Sequence, residues 1–493
     1  MSAGCQRPCG SLGVWALTVA HLAHWRGVAA QAAPAVSQVD NDGIESAWLY
    51  GNMNHYAYYF TDLLIGSPQP QRASVIIDTG SRLVGFPCKG CVHCGEHLDP
   101  IFDVSRSKSA KWLNCSSQCS KGCVKGHCSY RETYSEGSTI SGLWFDDNVQ
   151  LGDAFNQNPP VRTSLGCHTN ENKLFYTQRA NGIMGLAPSF QGAQGMRPTF
   201  LQNLFRDKQH VDTAIFSICL ATWGGRLTVG GYDSSYHING DVEAKARCTG
   251  HGPCPGDGTQ WIDMTASHYY FIFPQSLTLD GQPVASGSHS FGVTVVDSGT
   301  TYTYLPGPLF NSLVASLDVY CRDHNGCGAQ KETSVISGLP SAGSTCWRLV
   351  NPEEGPVHFP ALRFLFGGGK QIDWPVHGYL HQRGEPGVWC QTFMENNLYQ
   401  TVLGISWMIH RDIIFDVKRG QLGVAQANCP EHRQQADPLE AAALSSKLAR
   451  DFGLQQGRAP SGAIILVSAL VLVSGMSLVC WAQQLRADSR AGR

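Results

Sequence analysis

Charge is scarce in this sequence: 15% of its 493 residues are Asp, Glu, Lys or Arg, and the formal net charge is −2. No long basic run occurs, so the footprint that binding to a phosphate backbone requires is missing and no nucleic-acid partner is expected. Disorder is excluded by the opposite measure, since 42% of the positions are hydrophobic and the chain is long enough for two ordinary domains. Two segments stand out for lacking charge altogether. The first, Leu12 to about Ala23, follows Arg7, is too short to span a bilayer and runs into the small residues Val28 to Ala33, which predicts a signal peptide over residues 1–31. The second, Ala463 to Ala482, is rich in Ile, Leu and Val and has the roughly 20-residue length of a membrane-spanning helix. Arg486, Arg490 and Arg493 then outnumber Asp488, so the tail 483–493 is expected in the cytosol and the globular part in the lumen, a single-pass type I topology. Residues 431–462, with Ala, Gln, Leu and charges in helix-favouring order, read as a stalk.

Cysteine is the residue that is present in unusual strength. Setting aside Cys5, Cys9 and Cys480 in the apolar ends leaves 16 of 19, an even number that suits disulfides in an oxidising compartment. They are Cys88, Cys91, Cys94, Cys115, Cys119, Cys123, Cys128, Cys167, Cys219, Cys248, Cys254, Cys321, Cys327, Cys346, Cys390 and Cys429. The crowding of seven between Cys88 and Cys128, with His93 among them, would suit zinc in a cytosolic protein, but in a luminal one disulfides are the expectation and no metal or other cofactor is called for. Their pairing is left open by the sequence. Asn114-Cys115-Ser116 is a glycosylation sequon in keeping with luminal exposure.

An internal repeat organises the middle of the chain. Val75-Ile76-Ile77-Asp78-Thr79-Gly80-Ser81 returns about 219 residues later as Val295-Val296-Asp297-Ser298-Gly299-Thr300. Each is a β-branched run that delivers an Asp into a tight Gly turn. A second element recurs in the same order, Gly182-Ile183-Met184-Gly185-Leu186 after the first Asp and Val402-Leu403-Gly404-Ile405 after the second. Short β-branched and aromatic segments broken by Gly, Pro, Asn and Asp lie between, such as Tyr56 to Ile65, Phe216 to Leu220, Leu227 to Gly231 and Tyr269 to Leu279. The pattern predicts an all-β body built by duplication.

Two carboxyl groups brought close together cannot both ionise, so they share a proton. Such a pair can take a proton from water with one member and polarise a carbonyl with the other, which makes Asp78 and Asp297 candidate catalytic residues for peptide hydrolysis. Gly80 and Gly299 would allow the two turns to approach, while Ser81 and Thr300 could hydrogen-bond the outer carboxylate oxygens.

With these motifs the chain resembles the pepsin family of aspartic proteases over about residues 56–426. Further matches are the strand Tyr56 to Gly66, Ala180 to Leu186, Phe415-Asp416-Val417 and Leu422-Gly423-Val424-Ala425. The resemblance implies a bilobal fold with catalytic lobes 56–215 and 216–430, a monomeric catalytic body and polypeptide substrates. It also implies a hairpin flap at Thr133-Tyr134-Ser135-Glu136-Gly137-Ser138, with Tyr134 over the cleft. One departure is Gly85, where the family commonly has a Trp that supports the flap Tyr, so flap closure is expected to use other contacts.

The cysteine-rich block resembles the insert of nepenthesin-like and plasmepsin V-like proteases, with Phe86-Pro87-Cys88-Lys89-Gly90-Cys91-Val92-His93-Cys94-Gly95, Cys123-Val124-Lys125-Gly126 and Gly166-Cys167-His168 carrying the likeness. That subfamily implies a membrane protein of the endoplasmic reticulum or Golgi that cuts secretory cargo after Leu where Arg stands two residues earlier. Glu136 and Gln178 occupy the positions that hold the substrate Arg there, whereas Ser135 replaces a free Cys. Residues 32–55 are few and carry Asp40, Asp42 and Glu45 rather than a Lys-rich run, so no acid-triggered prosegment is expected. A general secretory or cell-surface protease, or an inactive pepsin-like binding body, would share the fold, but the latter usually loses one of the Asp motifs.

Overall fold

The uncharged run Ala73 to Ile77 forms the end of a strand, Gln71–Asp78, whose last six positions are all buried. Burial on both faces is why Val75, Ile76 and Ile77 are apolar in succession instead of alternating, and the buried Ser74 before them is hydrogen-bonded to Asn181. Tyr58–Ile65 pairs with it antiparallel on one side, and Gly182–Gly185 pairs with it parallel on the other, with Asp78 opposite Gly185. The second half repeats this arrangement. Val293–Val296 pairs parallel with Gln400–Leu403, and that strand meets Thr303–Pro306 antiparallel at Tyr304 and Val402. The repeat seen in sequence is therefore a repeat in space: in each half the apolar Gly element lies beside the Asp strand.

In this computed structural model the described residues are 43–116, 119, 122–152, 159–188, 197–248, 250–332 and 345–433. The expected signal peptide, the membrane span 463–482, the tail 483–493 and all but the first three residues of the stalk lie outside them. Among the described residues no helix is long and apolar enough to cross a membrane.

A further antiparallel sheet ties the two halves together. Its strands run in the order Glu45–Asn52, Gly225–Val229, Ile215–Leu220, Arg411–Asp416, Gln421–Gln426 and Gln260–Ala266. The two central strands are buried at every position, and Phe216 stacks on its register partner Phe415 at 4.5 Å. This mostly β, bilobal architecture matches the expected class. The first strand of the body begins at Glu45, ahead of the boundary drawn at 56, because its edge is needed to complete this sheet. The segment Tyr269 to Leu279 is two strands, Tyr270–Ile272 and Ser276–Leu279, interrupted at Pro274, which has no N–H to give a ladder. One long helix, Gly307–Asp323, buries Leu309, Leu313, Leu317 and Cys321, whose spacing of four places them on one face.

All sixteen body cysteines are paired. In the first half the pairs are Cys88–Cys167, Cys91–Cys94, Cys115–Cys123 and Cys119–Cys128. In the remainder they are Cys219–Cys429, Cys248–Cys254, Cys321–Cys327 and Cys346–Cys390. Asn114 is exposed beside this cluster. Cys219–Cys429 encloses 210 residues of chain, so it restricts the unfolded state more than any short loop does. Replacing both of these cysteines by Ser is expected to lower stability by about 2–5 kcal/mol in a denaturant titration. Removing the six-residue Cys248–Cys254 loop should lower it by less.

Candidate active site

The twin turns interlock. The Thr79 amide donates to Ser298 Oγ (3.0 Å) and the Ser298 amide to Thr79 Oγ1 (2.9 Å). Each hydroxyl then reaches across to the strand behind the other turn, Thr79 Oγ1 to the Val296 carbonyl and Ser298 Oγ to that of Ile77, both at 2.9 Å. All four bonds are buried, where an unmade partner would be expensive, so the geometry of one turn dictates that of the other. The sequence named Thr79 and Ser298 only as members of the motif. Their mirrored positions were the available signal for this role.

The interlock sets Asp78 and Asp297 side by side. Gly80 N–H donates to Asp78 Oδ1 (2.8 Å) and Gly299 N–H to Asp297 Oδ1 (2.9 Å). A Cβ on Gly80 would stand 2.7 Å from Asp297 Oδ1, and one on Gly299 would run into Asp78 Oδ1, so neither position has room for a side chain. Thr300 Oγ1 donates to Asp297 Oδ2 at 2.6 Å, as its place in the motif suggested. Ser81 Oγ is buried close to both Asp78 and Tyr134 without reaching hydrogen-bond geometry to either. Burial, and then the charge of Asp297, push the Asp78 pKa well above the carboxylate range, against the smaller pull of Ser81 and the Gly80 amide. The pair therefore keeps one proton at a pH where two separate carboxyl groups would both be ionised.

Both carboxyls open into a cleft of about 1170 Å³ that Tyr134, Glu136, Gln178 and Tyr304 also line. The expected flap is a hairpin of His127–Thr133 and Thr139–Leu151, closed by the Tyr134 N–H on the Ser138 carbonyl (2.9 Å) and the Gly137 N–H on that of Tyr134 (2.9 Å). Burial, and next the nearby Asp78 charge, push the Tyr134 phenol well above its ordinary pKa. Glu136 is exposed at the tip of the hairpin. Gln178 ends the short helix Lys173–Thr177 and is half-buried, with Nε2 donating to the Ala180 carbonyl at 3.3 Å. Every residue that the sequence singled out for catalysis, flap or substrate thus faces one cleft.

Gly85 is explained by its neighbour. A Cβ there would lie 2.7 Å from His168 Nε2, so the room a larger side chain would take is filled by a histidine from another strand. Tyr134 rests instead on Phe175, ring centroids 4.8 Å apart, and Phe175 meets His168 edge-on at 6.4 Å. This supplies the alternative flap contact. His168 was visible in the sequence only as part of Gly166-Cys167-His168, with no hint of what it touches.

The fold and the paired carboxyls define an aspartic protease, and the chain belongs to the eukaryotic aspartyl protease family, whose model matches residues 58–427. Among relatives it is similar to aspartic protease 5 of Toxoplasma gondii, 34% identical over 421 residues, and to plasmepsin V of Plasmodium falciparum, 27% identical over 453. These matches cover 78% and 79% of this chain, but 38% of the Toxoplasma protein and 74% of the Plasmodium one. Nepenthesin-2 of Nepenthes gracilis is 26% identical over 325 residues, 63% of this chain and 64% of that protein.

Two outcomes follow from the geometry. Ser298→Ala leaves the Thr79 amide and the Ile77 carbonyl without partners and should lower stability by about 2–4 kcal/mol in denaturant unfolding. Asp297→Asn removes the charge that helps hold the proton on Asp78, so the Asp78 pKa should fall while remaining raised by burial, read from carboxyl carbon chemical shifts against pH.

Proposed function

We propose that Asp78 and Asp297 together hydrolyse peptide bonds in secretory-pathway polypeptides, cutting after Leu where Arg stands two residues earlier. The observation that carries the catalytic part is the interlock that sets two carboxyls side by side at the floor of a single cleft, where burial and the Asp297 charge raise the Asp78 pKa. In the step itself the ionised carboxylate takes a proton from a water molecule, whose oxygen attacks the scissile carbonyl carbon. The protonated carboxyl hydrogen-bonds the carbonyl oxygen and gives it the proton as the tetrahedral diol forms. A proton returned to the amine lets the C–N bond break. Tyr134 covers the reacting bond from the flap and excludes water.

Selectivity for Arg is supported by the position of Glu136. Its carboxyl group is exposed to the cleft and, among the described residues, in no ion pair, and it lies near enough to both Tyr134 and Tyr304 to raise their pKa values. A guanidinium offers it a planar, charge-assisted partner, with the Gln178 amide as a second contact. The likeness to plasmepsin V and to aspartic protease 5 supports assigning the same kind of site. The sixteen paired cysteines support a luminal body. With the signal and span read from the sequence, this makes a type I protein of the endoplasmic reticulum or Golgi.

Asp78→Asn and Asp297→Asn should each abolish turnover while leaving the protein folded, because one carboxyl cannot serve as base and acid in the same step. In the unmodified enzyme the alkaline loss of activity should come well above the pKa of an isolated Asp, since it marks departure of the shared proton. Glu136→Gln is expected to lower kcat/KM on an Arg-x-Leu peptide about ten- to a hundredfold. The Lys peptide should be cut less well than the Arg peptide by the unmodified enzyme. Equal cleavage of Arg, Lys and Ala peptides would remove the Arg reading and leave the two-carboxyl mechanism intact.

A further inference from the structure

Behind the Gln178 wall lies a buried polar cluster that the catalytic mechanism does not use. The side chains of His97, Glu171 and His168 are 2%, 0% and 0% exposed. Glu171 ends the strand Val161–Glu171, two residues before the helix that carries Phe175 and leads to Gln178. Its Oε1 accepts from His168 Nδ1 at 2.6 Å and its Oε2 from His97 Nε2 at 3.2 Å. The other ring nitrogen of His97, Nδ1, lies 3.1 Å from the Gln178 carbonyl oxygen.

Both partners of His97 are acceptors. A neutral imidazole has one N–H and can satisfy one of them, so only the doubly protonated ring donates to both. Burial raises the Glu171 pKa, but the hydrogen bonds from His168 and His97 outweigh it and the net shift is downward, so Glu171 is an anion. Burial lowers the His168 pKa more than Glu171 restores it, so His168 stays neutral, its single proton on Nδ1 and its Nε2 without a partner facing Gly85. The other oxygen of this buried carboxylate is held by His97. The other groups facing the cluster are His93, whose Nδ1 donates to the Glu171 carbonyl at 2.7 Å, and Tyr130, near enough to feel the Glu171 charge. The Gln178 segment is bordered by Arg179 and by Tyr58, whose hydroxyl oxygen accepts from the amides of Arg179 (2.9 Å) and Ala180 (3.1 Å).

We propose that His97, clamped between Glu171 and the Gln178 carbonyl, is a positioning residue that sets the Gln178 wall of the cleft and thereby the preference for a cationic substrate side chain. The inference rests on the reading of Gln178 as a substrate contact. A side chain that cannot reach both acceptors releases one side of the clamp.

The test compares full-length protein with its His97→Gln variant, whose amide can donate to only one of the two acceptors at that reach. In the unmodified enzyme kcat/KM for Arg-x-Leu should exceed that for Ala-x-Leu peptides, and in the variant the ratio of the two should be about five- to tenfold lower. Adding the change to a Gln178→Ala background should lower the ratio no further. Hydrogen exchange of amides 174–180 should quicken in the variant, while that of the buried strand Ile215–Leu220 should not. Equal loss on both peptides, or unchanged exchange in that segment, overturns the proposal. If the unmodified enzyme shows no Arg preference, the substrate reading of the cleft falls, and the exchange measurement still decides whether His97 holds the wall. Should the variant unfold, His97→Asn takes its place in the peptide and exchange measurements, and the same outcomes decide.

Discussion

Two amide-to-hydroxyl bonds and two hydroxyl-to-carbonyl bonds, all between Thr79 and Ser298 and the strands behind them, are the constraint on which the rest of the molecule depends. A shared proton requires two carboxyls within a few ångströms, and their mutual repulsion opposes that approach. The interlock supplies the opposing stabilisation without using either carboxyl as a structural strut. Each Asp strand is in turn held from the side by a parallel apolar partner, so the position of the dyad is fixed by the cores of both lobes. The sheet between the lobes, with Phe216 on Phe415 at its centre, keeps those cores in register.

A second device recurs around this frame: a buried histidine wedged between two acceptors. His237 faces the Asp412 carboxylate through Nε2 and the Asp257 carbonyl through Nδ1, under the sheet that joins the lobes. Burial lowers its pKa, but the hydrogen bond and charge of Asp412, with Asp257, outweigh this and the net shift is upward. His210, between Glu45 and Asp207, behaves in the same way and fastens the first strand. For both, the folded pKa exceeds the unfolded value of about 6.5, so their contribution is complete below that value and fades as pH rises through the folded pKa. The dyad has the same sign: raised in the folded state, it favours the fold below the ordinary Asp range and loses that favour as Asp78 ionises. These three groups share one sign of pH dependence although they lie far apart in the structure.

Much of this was legible in the sequence because the decisive features are local or repeated. A β-branched run ending in Asp-Thr-Gly or Asp-Ser-Gly specifies a buried strand and a turn with no room for a Cβ, and two copies specify a pair of such turns. The hairpin carrying Tyr134 and Glu136 is likewise written in consecutive residues. An even complement of cysteines in the body indicated disulfides, although not which sulfurs meet. The expected signal peptide and membrane span were read from local composition too, and both lie outside the described residues.

What only the tertiary structure decided involves residues far apart along the chain. That the side chain of His168 fills the space beside Gly85, that Phe175 rather than a tryptophan backs the flap, and that His97 grips the carbonyl of Gln178 all depend on which strands and loops pack together. A histidine's protonation is set by the two atoms that face its nitrogens, and no pattern within its own segment states what those will be. The sequence by itself determined the fold class and the candidate residues of the reaction, since these follow from periodicity and from chemistry repeated in both halves. The lobe interface, the cysteine pairing and the support of the substrate wall were decided by packing, because each is a contact between surfaces that exist only once the chain has folded.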